Sequence, residues 1–237
     1  MIPLRDDLPV RSRSWVVYSL ILANVLAFIA QHLHPMGFNR AVVDFGMVPA
    51  RFFEGIFGDG DAAAELRTLV TYMFLHGGFL HLAGNMLFLY IFGPGLESRL
   101  GRAGFPAFYL ACGVMAGLVN SVASWGSESP MVGASGAVSG LMGAYLLTYP
   151  RANIETLIWV IFWGTRVMIP AYVFVGFWLL MQFYLGGSEH GGIAVWAHLG
   201  GFAAGVGGML LLLRKRPGAP ARPMSRSRND YDSEPMN

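Results

Sequence analysis

The sequence predicts an all-α membrane protein, a bundle of six transmembrane helices. Two compositional facts and one pattern predict it. Hydrophobic residues make up 54% of the 237 and charged residues only 13%, against roughly 25% charged in a soluble domain. Charge-free windows then recur six times, over 14–39, 68–96, 103–127, 129–150, 167–188 and 190–213. Each is long enough to cross a hydrocarbon core that needs about 20 apolar residues.

Taken in order, the polar start MIPLRDDLPVRSRS (1–14) reads as a mobile cytoplasmic segment ahead of a six-helix domain over 15–213. The first apolar run begins at Trp15 and lacks a small-residue cleavage site, so it reads as a helix and not as a signal peptide. The loop after the first span carries RFFEGIF (51–57), the pattern of an amphipathic element dipping into the outer interface. Cys112, alone in the third span, excludes an intramolecular disulfide and reads as a small packed residue. Between the fourth and fifth spans, TLIWVIFWGT (156–165) has too few residues to cross and is expected to lie at an interface or fold back. The end, RKRPGAPARPMSRSRNDYDSEPMN (214–237), reads as a basic, disordered cytoplasmic tail.

Orientation follows from the basic residues. With six spans, one side of the membrane holds thirteen of them, including Arg99, Arg102, Arg151, Arg166 and the tail, while the other holds Arg40, Arg51 and Arg67. That asymmetry puts both termini in the cytoplasm. The net charge of +2 therefore reports topology, and no nucleic-acid partner is expected. Short loops and the basic tail suggest a bacterial plasma membrane.

The second, fourth and sixth spans run parallel in such a bundle. Ser135 and His198 then both fall about 21–23 Å from the cytoplasmic boundary at 1.5 Å per residue, and His81 shares that depth. His81 and Asn85 stand four residues apart on one helical face, with His76 in the turn before them. A serine in such a helix ordinarily bonds back to its own backbone, and Ser139 is left with that reading. Histidines are costlier in hydrocarbon, so His81 and His198 weigh more; His32, His34 and His190 fall at wet span ends. Gly136 and Gly140, and Gly201 and Gly205, repeat at the four-residue spacing that lets helix backbones approach closely. Such packing would bring Ser135 within reach of His198, the geometry of a base-activated nucleophile. No carboxylate lies at this depth, so the pattern favours a Ser-His dyad, with His198 held by helix packing. His81, Asn85 and the Ser135 backbone N–H would face a developing oxyanion. No cofactor or metal is expected, because the His-Glu-x-x-His pattern of a metalloprotease is missing from His76-x-x-x-x-His81.

The same residues carry a family likeness. HGGFLHLAGNM (76–86), GASGA (133–137) and AHLGGFAAG (197–205) resemble the rhomboid intramembrane serine proteases, in the right order on the second, fourth and sixth spans. The resemblance implies a serine protease with Ser135 as nucleophile, His198 as base and His81 and Asn85 in the oxyanion hole. It also implies single-pass transmembrane proteins as substrates within the lipid bilayer. ESRLG (97–101) looks like the family's structural Glu-x-x-x-Gly turn. Two departures stand out: Arg67-Thr68 replaces the usual Trp-Arg pair of the first loop, and Ser139 replaces a tyrosine that stacks on the catalytic imidazole in some members. The rival readings are an inactive rhomboid-like protein that binds membrane helices and a transporter whose polar residues line a pathway.

Overall fold

The computed structural model describes residues 1–9, 14–160, 163–186 and 194–215. The expectations for His190 and for the tail from 216 onward lie outside these residues. Helix α1 (Trp15–His32) has no side-chain cap of its own at Ser14. A distant carboxylate caps it instead: Glu97 accepts from the backbone N–H groups of Val16 (3.1 Å) and Val17 (2.9 Å), which otherwise lack partners in a first turn.

Three short helices follow, α2 (Phe38–Phe45), α3 (Pro49–Phe57) and α4 (Ala62–Thr71). The RFFEGIF stretch forms most of α3, burying Phe52 while Phe57 faces outward. Arg51 of α3 pairs with Glu65 of α4 at 3.2 Å. The Arg67 guanidinium lies over the Phe45 ring at 5.8 Å, and Thr68 is buried, its hydroxyl donating to Glu65 O at 2.6 Å.

Helix α5 (Phe79–Ala123) is 45 residues long and breaks at Gly101, whose φ of 79° and ψ of 168° are not helical. A side chain there would be strained, so glycine makes the break. The arms on either side, 79–100 and 102–123, are each about 33 Å long at 1.5 Å per residue. Glu97 and Gly101 thus both have structural work, one capping α1 and the other breaking α5.

Helix α6 (Ser135–Thr148) has only 14 residues, about 21 Å and too short for a hydrocarbon core of about 30 Å. The chain before it, 124–134, is irregular backbone. Several of its backbone groups are paired with the preceding elements. Met131 and Met47 exchange backbone bonds of 3.0 and 2.8 Å, Ala50 N–H donates to Ser127 O at 3.0 Å, and Gly133 N–H to Tyr72 O at 2.9 Å.

Helices α7 (Ala171–Gly186) and α8 (Ala194–Lys215) complete the bundle. Among the described residues, three helices are long and apolar enough to cross a membrane by length and composition, Trp15–His32, Phe79–Ala123 and Val195–Arg214. Many large apolar side chains point outward, among them Leu22, Leu26, Leu180, Phe183 and Leu211, as expected where the surroundings are lipid.

The all-α expectation is corrected by a three-stranded antiparallel sheet in the order β1 (Ile2–Asp6), β2 (Asn153–Val160) and β3 (Trp163–Pro170). The short apolar run at 156–165 does fold back, as a hairpin, and the helix expected from residue 167 begins only at Ala171. The start of the chain, expected to be mobile, contributes an edge strand, pairing Ile2 with Leu157 and Asp6 with Ile154. Pro3 is tolerated there because an edge strand can spare a donor. Glu155 joins all three strands through Arg5 (2.5 Å) and Arg166 (3.4 Å), and its hydrogen bond from Arg5 holds the carboxyl below its usual range.

The tightest packing is between α6 and α8. A Cβ at Gly201 would meet the Gly136 carbonyl oxygen and come within 2.6 Å of Ser139 Oγ, and one at Gly205 would meet the Gly140 carbonyl. Gly136 and Gly140 also give room to the second arm of α5, where Cβ atoms would stand 2.6 Å from Ala116 Cβ and 2.7 Å from the Sγ of the buried, free Cys112. Gly205→Leu is therefore expected to cost about 1–3 kcal/mol or more, read as a lower melting temperature in detergent. Gly207→Leu, where a Cβ meets nothing within 4 Å, is the control expected to melt near the wild type.

Candidate active site

Ser135, His81, Asn85 and His198 line one pocket of about 270 Å³. Its remaining walls are mainly apolar, from Leu80, Phe88, Val132, Val138, Met142 and Trp178. Four helices supply it, so it exists only in the folded bundle.

Ser135 is the first residue of α6. The recessed start of that helix puts the serine, with the unpaired N–H groups of a first helical turn, inside the fold. The loop before it is fitted to α5 at Gly133. There φ is +126°, and a Cβ would stand 2.7 Å from both Cε1 and Nε2 of His81 and 3.5 Å from Asn85 Nδ2. Only glycine allows the backbone this close to both side chains.

His81 and Asn85 project from one face of α5, as their spacing predicts. The Gly77 N–H donates to His81 Nδ1 at 3.3 Å, which places the ring proton on Nε2, the atom beside Gly133. The Asn85 amide nitrogen is buried and has no hydrogen-bond partner. Behind them His76 is fully buried, its ring edge-on to His81 with centroids 5.2 Å apart and both ring nitrogens unpartnered. The Gln31 side chain clamps the His76 backbone, donating to its carbonyl at 3.0 Å and accepting from its N–H at 3.1 Å.

His198 is held from two sides. Ser139 Oγ lies 2.8 Å from Gly136 O in its own helix and 2.9 Å from His198 O, so the back-bonding expected of Ser139 is shared across to α8. The imidazole contacts α7: Nδ1 is 2.6 Å from Gln182 Oε1, and the Trp178 ring lies 5.8 Å away between centroids. Nε2 is buried with no hydrogen-bond partner. The two residues expected to form a dyad thus share a pocket without a direct hydrogen bond, which would need an approach within 3.5 Å. Helix packing does not hold His198 alone: Gln182 of α7 contacts its ring. The sequence signal of Gln182 is a single amide in the apolar run FWLLMQFYL.

Chemically, the pocket gathers two buried nitrogens without hydrogen-bond partners, His198 Nε2 and Asn85 Nδ2, with the His81 ring and the Ser135 hydroxyl on the same walls. No Asp, Glu, Lys or Arg is among its lining residues, and among the described residues no group of three or more His, Cys, Asp or Glu could hold a metal.

Comparison with known proteins matches residues 63–215 to the Rhomboid domain family model. Similar proteins include RHOMBOID-like protein 5 of Arabidopsis thaliana, 34% identical over 63% of this chain and 45% of its own length. Rhomboid-like protein 11, chloroplastic, of the same plant is 30% identical over 91% of this chain and 71% of its own. Rhomboid protease GluP of Bacillus subtilis (strain 168) is 34% identical over 60% of this chain and 26% of its own. This chain therefore spans less than half the length of the first and last of these.

Gly133→Ala is expected to be disruptive out of proportion to one methyl group, since it adds backbone strain of about 1–3 kcal/mol and drives a Cβ into the His81 ring. A melting curve together with the reactivity of Ser135 toward a fluorophosphonate measures both effects.

Proposed function

The chain belongs to the rhomboid family, and we propose that it is an intramembrane serine endopeptidase acting through Ser135 and His198. One observation carries the reading: a lone serine at a recessed helix start shares a pocket with an imidazole nitrogen free to accept a proton and an amide free to donate. A pathway for solute would not need that complementarity.

In this reading the domain spans 15–213 and crosses the bilayer six times, with both termini cytoplasmic, as the arginine asymmetry supports. Its substrates are single-pass membrane proteins whose transmembrane segment unwinds locally, because a carbonyl held in a helix is shielded from attack. Ser135 Oγ attacks the scissile carbonyl as its proton passes to His198 Nε2. The charge that builds on the carbonyl oxygen is met by Asn85 Nδ2–H, His81 Nε2–H and the Ser135 backbone N–H. His198 then returns the proton to the leaving amine, and water, deprotonated by the same nitrogen, releases the acyl group from Ser135. The first contact between Ser135 and His198 forms only when substrate is present, a tightening common in sites of this kind. Gly136, Gly140, Gly201 and Gly205 serve by keeping the two helices at backbone distance.

Ser135→Ala and His198→Ala are each expected to abolish cleavage of a fluorogenic transmembrane substrate with little loss of stability, and the double variant to be no worse than either. Substantial cleavage by purified Ser135→Ala defeats the assignment. Asn85→Ala is expected to lower kcat by up to about 10²–10³-fold with KM nearly unchanged, the pattern of a donor that acts on the transition state. A packing role for Asn85 instead gives a lower melting temperature with normal turnover per folded molecule.

A further inference from the structure

We infer that Gln182 is a positioning residue for His198, performing with a neutral carboxamide the task of the acid in a Ser-His-Asp triad: it keeps the proton on Nδ1 and Nε2 free. The tautomer rests on geometry alone; its catalytic consequence rests on the protease reading.

The geometry assigns the proton. An amide's oxygen and nitrogen are told apart by their partners. Gln182 Nε2 lies 3.5 Å from the backbone carbonyl of Trp178, one turn earlier in α7. That carbonyl can only accept, so the NH₂ belongs there and Oε1 faces His198 at 2.6 Å. Oε1 in turn can only accept, so Nδ1 must donate. A neutral imidazole carries one N–H, which leaves the lone pair on Nε2, the buried nitrogen without a partner. Gln182 is itself 8% exposed, so water competes little for this bond.

A carboxylate in its place would be costly, since a buried ionised group needs pairing and no cation is among the lining residues. Among the described residues, the titratable group facing His198 is His81, a lining residue of the same pocket with His76 packed behind it, and neither supplies a negative charge. A carboxamide fixes the same tautomer without a charge to bury.

The test uses the full-length chain in detergent and in liposomes, with Gln182→Leu and Gln182→Glu. Gln182→Leu removes the acceptor: kcat is expected to fall at least 10-fold, short of the ~10⁴-fold that a wrong tautomer costs a triad, with KM and melting temperature nearly unchanged. Gln182→Glu restores an acceptor with a charge. It is expected to recover turnover near neutral pH and to move the acid limb of the pH–rate profile to higher pH, because the carboxylate favours the imidazolium. ¹⁵N spectra of histidine-labelled protein, with His198 assigned by its loss in His198→Asn, are expected to report Nδ1–H in the wild type and a mixture in Gln182→Leu. Wild-type kcat in Gln182→Leu overturns the inference, as does an Nε2–H wild-type spectrum. If Gln182→Leu does not fold, an unmoved acid limb in Gln182→Glu overturns it. A wild type with the Nδ1–H spectrum that neither cleaves nor labels at Ser135 defeats the protease reading and leaves the tautomer standing.

Discussion

The contact between α6 and α8, backbone against backbone at Gly201 and Gly205, is the constraint on which the rest of the site depends. Helices in lipid gain little from hiding apolar surface from each other, so close approach through small residues has to hold them. The approach here is close enough for Ser139 to reach across and bond the carbonyl of His198. Ser135 lies one turn before Ser139, so the same contact fixes the spacing between the serine and the imidazole. A loosened glycine face would separate the two while leaving every side chain of the site in place.

A second requirement is a helix that starts inside the protein. The 124–134 loop gives up helical hydrogen bonds, and its backbone is tied instead to Met47, Ala50 and Tyr72. In exchange, α6 begins at Ser135, on the wall of the pocket. The first-loop helices therefore have a role in the site although none of their residues lines it: the segment joining α2 to α3 pins the loop that delivers Ser135.

Much of this was legible in the sequence. Each charge-free window contains a helix, and the i, i+4 pair His81 and Asn85 does share a face. The misses have physical causes. A run without charges cannot tell a strand from a helix, so the β2–β3 hairpin and the late start of α7 were hidden in apolar residues. The short α6 was obscured in the same way, although Pro130 and Gly133 are breakers just ahead of it. Glu97 ended a window because it is charged, yet it sits within α5, buried against the start of α1. Gln182 gives a weak signal because it is an uncharged amide in an apolar run. The family likeness located Ser135, His198, His81 and Asn85 by motif, and a motif carries no information on what stands behind the imidazole.

The N-terminal strand has a consequence for the order of assembly. β1 pairs with residues 154–157, and Asp6 accepts a hydrogen bond of 2.7 Å from Tyr145 near the end of α6. Neither partner exists until roughly 140 further residues have been made, a delay on the order of 10 s at ~5–20 residues per second. Contacts so distant in sequence form late, after loop-closure entropy has been met by the segments between. A strand made before α1 is thus among the last to be paired, and its docking waits on the arrival of α6 and β2.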